Sequence, residues 1–240
     1  MSGLKIYGAK PKRMYIGGLK AKKVYCRGER VWSAGSIVTY ICNGVNYQEE
    51  IEDGNTVLSP TTFTPILDDA TFLGWSLSPD DTTIQTSLVM SGEPITLYAV
   101  FQYANTTISP LVSNYSSEYT SPSGIICNLT NANINTSKYY KATVQFGSID
   151  AYVDPNWSPN GSMGIYLNGG GGSTRIAYTY NKNGEQYDKY QTNNPSYTVI
   201  FTQTSGNTKL YISASSSESR VGLNLSNMGS ITLYGKTIVG

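Results

Sequence analysis

The sequence predicts an all-β protein, and three observations carry that expectation. Its 240 residues include 20 tyrosines and 24 glycines, while only 14% are charged, a balance that suits short strands joined by Gly, Asn and Ser turns. No window of useful length repeats its apolar residues with the 3.6-residue period of an amphipathic helix. Runs rich in β-branched and aromatic residues instead recur between turn clusters. The chain also exceeds the roughly 100 to 200 residues of an ordinary domain, so several modules are expected.

The first module spans residues 1–35. Lys12-Arg-Met-Tyr-Ile-Gly-Gly18 realigns with Lys22-Lys-Val-Tyr-Cys-Arg-Gly28, each unit reading as a strand and a glycine turn. Alternation through Lys23-Val24-Tyr25-Cys26 and Arg30-Val31-Trp32 fits a half-buried strand, so a short β-meander is expected. It is too small to bury a core unaided and should pack on the next module or on another chain. Nine Lys and Arg face the single acid Glu29 here, whereas residues 36–137 hold ten acids and no Lys or Arg. Like-signed clusters concentrate opposite charge around themselves, so the arm either seeks an external acidic partner or pairs with its own acidic middle. In the first case Lys12, Arg13, Lys22, Lys23 and Arg27 supply charge, and Tyr15, Tyr25 and Trp32 supply apolar area. A grip on single-stranded nucleic acid would need a recognisable nucleic-acid fold, so nucleic acid is not the expected partner.

The second module spans residues 36–103. It opens with the β-branched run Ser36-Ile-Val-Thr-Tyr-Ile-Cys42, turns at Asn43-Gly44, where both residues need positive φ, and continues as a polar strand through Ile51. Thr71-Phe-Leu-Gly-Trp-Ser76 and Ile95-Thr-Leu-Tyr-Ala-Val-Phe101 follow, with Phe72, Trp75, Tyr98 and Phe101 as core candidates. A linker is expected near 103–110, where Ser109-Pro110 breaks regular structure. The third module, 104–240, shows strands at 139–147, 164–167, 174–180, 196–202, 209–213, 221–225 and 230–234. That spacing suggests a β-sandwich, jelly-roll-like in character.

Two resemblances sharpen this outline. The features Asn43-Gly44, Phe72-Leu-Gly-Trp75 and Leu97-Tyr-Ala99 resemble the β-grasp repeats of bacterial surface proteins of the internalin B-repeat type. That implies a non-catalytic spacer or interaction module; Asp69-Ala70-Thr71 departs from the usual Gly-Tyr. The arm, through Lys23-Val24-Tyr25, Gly28 and Val31-Trp32, is similar to the opening segments of tailed-phage virion proteins. Together they imply a structural phage protein, a decoration, head-fibre or tail-accessory component. It would be assembled in the host cytoplasm and located in the virion, bound to a capsid or tail protein, with a host-surface glycan and further copies of the chain as additional candidate partners. A bacterial surface adhesin or carbohydrate-binding module is the alternative, one that would need an export signal and anchor.

The residues that could carry chemistry are few. The chain has no histidine, which excludes His-dependent triads and removes the commonest metal ligand; no enzyme activity, cofactor or metal is expected. Cys26, Cys42 and Cys127 show no paired spacing and read as buried reduced thiols. Asp68-Asp69 and Asp80-Asp81 sit among turn formers, where Asp caps backbone amides. Asp150, Asp154, Asn156 and Asn160 could gather calcium, but a Pro-stiffened loop with Asx turns explains them as well. Gly169–Gly172 lacks the Lys-Ser/Thr of a phosphate loop and reads as a flexible hairpin tip. Tyr152, Trp157, Tyr166, Tyr178, Tyr180, Tyr187, Tyr190 and Tyr197 interleave with Asn, Gln and Ser. Tyr152, Trp157, Tyr178, Tyr180 and Tyr187 are the candidate ligand-binding residues; core structure, a protein interface and glycan stacking all remain open for them.

Overall fold

The computed structural model describes residues 15–16, 19–21, 23–26, 29–33, 35–120, 126–131, 133–154, 160–183, 185–187, 190–216 and 221–240. Among them every regular element is a strand, as the composition predicts. The chain divides into two compact units, Met1–Gln102 with Thr237–Gly240, and Tyr103–Lys236.

In the first unit, β1 (Tyr15–Ile16) pairs with β2 (Leu19–Lys20), and β3 (Lys23–Cys26) with β4 (Glu29–Ser33). Each copy of the ten-residue repeat thus supplies the first strand of a hairpin. β5 (Gly35–Cys42) and β6 (Val45–Glu52) form a full hairpin, turned by Asn43 at φ 51° and Gly44 at φ 73°, the two left-handed residues that this turn demands. β8 (Ile95–Tyr103) runs parallel to β5, with Val38 opposite Ile95 and Ile41 opposite Tyr98. β7 (Ala70–Ser76) also pairs with β8. A central parallel pair, β5 and β8, with β6 paired to the first and β7 to the second is the β-grasp order. The last strand, β24 (Thr237–Val239), adds to β8, so the chain end belongs to this unit although the sequence places it with the third module.

The pleat decides the core. Val38, Tyr40 and Cys42 alternate inward on β5, and Leu97, Ala99 and Phe101 on β8. Trp75 is buried with them and Phe72 packs against them. Tyr98 does not join: it sits between two inward residues of β8, and its side chain leaves on the opposite face, where it is half-buried. Residues 53–69 cover the sheet's inner face, bringing Val57, Leu58, Phe63 and Leu67 to the core. Two aromatic donors hold that segment. The Trp75 indole donates to the Leu58 carbonyl at 3.1 Å and the Tyr40 hydroxyl to the Val57 carbonyl at 3.0 Å. Burial, with the nearby Glu49 charge as the lesser cause, pushes the Tyr40 hydroxyl up to about 12.

The second unit is built from strands that bend. β9 (Thr106–Ile108) and β10 (Tyr115–Thr120), β13 (Tyr139–Gln145) and β14 (Ser148–Val153), β18 (Tyr190–Asn193) and β19 (Ser196–Ile200), and β22 (Val221–Ser226) and β23 (Ile231–Gly235) are successive halves. The order β10-β22-β14-β18 repeats as β9-β23-β13-β19, so the halves continue one another. The other sheet orders β11 (Ile126–Asn128), β21 (Tyr211–Ser216), β15 (Ser162–Gly169), β16 (Gly172–Lys182) and β17 (Glu185–Tyr187), with β12 (Ile134–Asn135) paired to β20 (Asn207–Thr208). Counting each bent strand once, and β17 as an addition beside β16, the two sheets run first-eighth-third-sixth and second-seventh-fourth-fifth. That is the jelly-roll order, two Greek keys wrapped into a sandwich. Ile149, Ala151 and Val153 from one sheet meet Met163, Ile165 and Leu167 from the other in one core.

Three expectations are corrected here. Residues 106–108 are not linker but strand, pairing with Ile231–Leu233. Residues 150–153 are not loop but the end of β14, whose alternating burial is the ordinary two-residue period. The Gly169–Gly172 tip is a turn, with Gly170 at φ 54° and Gly171 at φ 76°, yet it is held rather than flexible. Its Gly170 amide donates to the Thr208 hydroxyl at 2.6 Å, and the Gly170 carbonyl accepts from the Thr202 and Gln203 amides.

Cys42 and Cys127 are buried free thiols, as expected of them, whereas the Cys26 side chain lies outside the described residues. Burial raises Cys127 from 9.0 to about 11. The unfolded thiol therefore loses its proton first as pH rises, and the stabilisation, complete below about 9, is lost on the way through about 11. Urea unfolding of the native chain and of Cys127→Ala across that range is expected to show a steeper alkaline decline for the native chain.

Candidate functional site

The aromatic residues of the second unit are distributed by strand pairing, not by sequence proximity. β15 turns Tyr166 and Asn168 outward from the sandwich while Ile165 and Leu167 are fully buried. Opposite it, β16 carries a bulge: Ile165 pairs with Ala177 and Tyr166 with Arg175, leaving Ile176 as the extra residue. Ile176 and Ala177 are consequently both buried, and Arg175 and Tyr178 both exposed. The Tyr166 ring lies across Gly164, where a Cβ would come within 2.9 Å of it, and Tyr178 is the register partner of Gly164. Tyr178 and Tyr180 have centroids 6.1 Å apart, and the Arg175 guanidinium stands 5.5 Å over the Tyr178 ring. Asn168 donates from Nδ2 to the Ser213 hydroxyl at 3.0 Å, which fixes the amide at the margin of this face.

Of the five candidate ligand residues, Tyr178 and Tyr180 therefore come together. The backbone of Tyr187, on β17, is in register with Tyr180. Tyr152 does not join them: it lies on the other sheet, its ring over Gly222. Trp157 lies outside the described residues. Sequence reasoning left Arg175 out, and nothing short of the bulge position reveals that it points the same way as Tyr178. Tyr197 packs against the core, 6.2 Å from Phe146.

In the arm, Lys23 and Tyr25 are exposed, Tyr25 at 58%, and Trp32 and Tyr15 lie in β4 and β1. Lys12, Arg13, Lys22 and Arg27 are outside the described residues. The Lys23 ammonium meets the Glu50 carboxylate at 2.9 Å, so one base of the arm pairs with the acidic middle, the internal alternative raised by the charge pattern. Such a half-exposed pair contributes at most about 1 kcal/mol. Glu49, next to it, is a clasp. Desolvation raises its pKa, but the bonds its Oε1 accepts from the amides and hydroxyls of Thr62 and Thr61 outweigh that and hold it below the usual range.

With this geometry in place the first unit finds a counterpart. Residues 37–100 match the Listeria–Bacteroides repeat domain. The match begins within β5 and ends within β8, so the repeat is the β-grasp sheet with its covering segment. No curated protein matches the chain. Among solved structures, two of infectious bursal disease virus are similar: that of the Gt strain, 19% identical with a TM-score of 0.27, and the VP2 subviral particle, 18% identical with a TM-score of 0.24. Each comparison covers 57% of this chain and 33% of the viral one, so the chain spans about a third of those proteins.

Among the carboxylates and amides singled out in the sequence, Asp69, Asp81 and Asn160 serve turns. Asp81 accepts from the Thr83 amide at 2.9 Å and hydroxyl at 2.8 Å, which lowers its pKa, and Asp69 sits at φ 60° in its turn. The Asn160 side chain accepts from the Asn183 amide at 3.2 Å, an Asx-type role. Among the described residues no three His, Cys, Asp or Glu side chains gather as metal ligands, and no helix is long and apolar enough to cross a membrane.

Proposed function

We propose that the chain is a structural, non-enzymatic virion protein of a tailed phage, attached to a capsid or tail protein through its N-terminal arm and displaying the jelly roll outward. The observation that carries this reading is the order of parts in one chain: a basic two-hairpin arm, a single Listeria–Bacteroides repeat as spacer, and a jelly roll with the first-eighth-third-sixth strand order. Jelly rolls serve in viral capsids and in lectins alike, and fold alone does not choose between them. The arm adds the bias toward a lattice, since exposed Tyr25 and the nine bases offer apolar area and charge at the end that would dock. Absence of histidine and the engagement of Asp81 in turn hydrogen bonds support the non-enzymatic part.

A bacterial surface adhesin is the second reading, favoured by the repeat match itself. Co-sedimentation with particles from the source separates the two. The full chain is expected to pellet with particles, and a chain lacking residues 1–33 to remain in the supernatant. Equal pelleting of both would remove the arm's role, and pelleting of neither would favour the adhesin.

A further inference from the structure

The outward face of the β9-β23-β13-β19 sheet and its continuation differs in chemistry from the tyrosine face. Thr107, Thr232, Thr143 and Thr198 stand in register across four strands, with the Thr143 and Thr198 hydroxyls 2.7 Å apart. Beyond the bend the Ser148 and Ser226 hydroxyls meet at 2.6 Å. In the next row Ser116, Asn224 and Asp150 are in register, the Ser116 hydroxyl donating to Asn224 at 2.7 Å.

Between these rows the strands break at one level and a cleft of about 480 Å³ opens. Asn194 at φ 51° and Asn227 at φ 46° turn the chain there. Gly147 forms part of the floor, because a Cβ on it would come within 2.6 Å of the Asn227 Cβ. Gln145, Ser148, Asn194, Ser226 and Asn227 supply the polar lining, and Phe146, although it borders the cleft, is fully buried. The side-chain amides of Gln145, Asn194 and Asn227 make no hydrogen bond to described residues.

We propose that this cleft binds a neutral saccharide. Its volume lies in the range of ligand pockets. The lining has no ionised group to compensate a phosphate or a cation, and its polarity gives an apolar ligand little to bury against. Amides and hydroxyls each donate and accept, which matches sugar hydroxyls that do the same. The Thr row on one side and the Ser116, Asn224 and Asp150 row on the other extend the hydrogen-bonding chemistry along the face, so a chain of several sugar units fits better than one. The site is distinct from the Tyr166, Tyr178 and Tyr180 face, and it does not depend on the virion reading, since it concerns the purified chain alone.

The test is a titration of the ¹⁵N-labelled full chain with maltohexaose, cellohexaose and chitohexaose into the millimolar range. At least one is expected to shift the backbone and side-chain amides of Asn194 and Asn227 saturably. Asn227→Gly and Asn194→Gly keep the left-handed backbone and remove only the amide, so each is expected to weaken binding about five- to tenfold with the fold intact. No saturable shift at those amides with any of the three sugars would overturn the proposal. So would shifts confined to the tyrosine face, or unchanged affinity in both variants.

Discussion

Replacing Trp75 by Ala is expected to destabilise the first unit by about 3–5 kcal/mol, the cost of emptying a large buried aromatic site. Trp75 is 1% exposed and packs on Tyr40, Phe72 and Phe63, with centroids 5.0, 5.2 and 6.1 Å away. Its loss also strands the Leu58 carbonyl, which accepts the indole proton, and loosens the segment that covers the sheet. The Tyr47 and Phe63 rings, stacked at 3.9 Å, would lose their support at the same time. Urea unfolding followed by circular dichroism measures the effect, with an early transition of the first unit as the expected result. A loss below about 1 kcal/mol would mean that the segment 53–69 is not held by this cluster.

Gly172→Ala is expected to cost the second unit at least about 3 kcal/mol, at the upper end of overpacking effects. A Cβ at Gly172 would stand 1.8 Å from the Ile200 carbonyl oxygen, and the atom in the way is backbone, so no rotamer relieves it. The approach is close because β16 and β19 come from opposite sheets and meet at the sandwich corner, where the Thr174 hydroxyl also donates to the Thr198 carbonyl at 2.8 Å. Gly229→Ala is the control. Its Cβ would meet nothing nearer than 3.6 Å, and a change within about 0.5 kcal/mol is expected. Thermal unfolding of the two variants side by side decides the matter; equal effects would contradict the corner geometry.

Much of the first unit was legible because its signals are local. Asn43-Gly44 dictates its own turn, and Trp75 and Phe101 announce a core by bulk. Tyr98 has the bulk of a core residue but the wrong parity: Tyr98 and Phe101, three residues apart on a strand, cannot face the same way. Phe63 was invisible because the segment that carries it has no period. In the second unit most apolar strands are legible, but Ser148–Val153 reads as a loop because Asp150, Asp154 and Pro155 mimic a turn, and Thr106–Ile108 and Tyr115–Thr120 escape notice, since edge strands rich in Ser and Thr carry little apolar signal. The tyrosine face was only half legible. Tyr178 and Tyr180 alternate visibly, but Arg175 joins them through a bulge and Tyr152 leaves them through sheet assignment, both of which are tertiary facts. The cleft is less legible still, being assembled from Gln145, Asn194 and Asn227, which meet only because three strands bend at one level.

The most direct test of the central claim is electron microscopy of particles purified from the source, labelled with gold-conjugated antibody against this chain. The account predicts regular label on the head or tail, with antibody against the jelly roll binding intact particles and antibody against residues 1–33 blocked. Particles without label would contradict a virion role, and label by the arm antibody alone would reverse the proposed orientation.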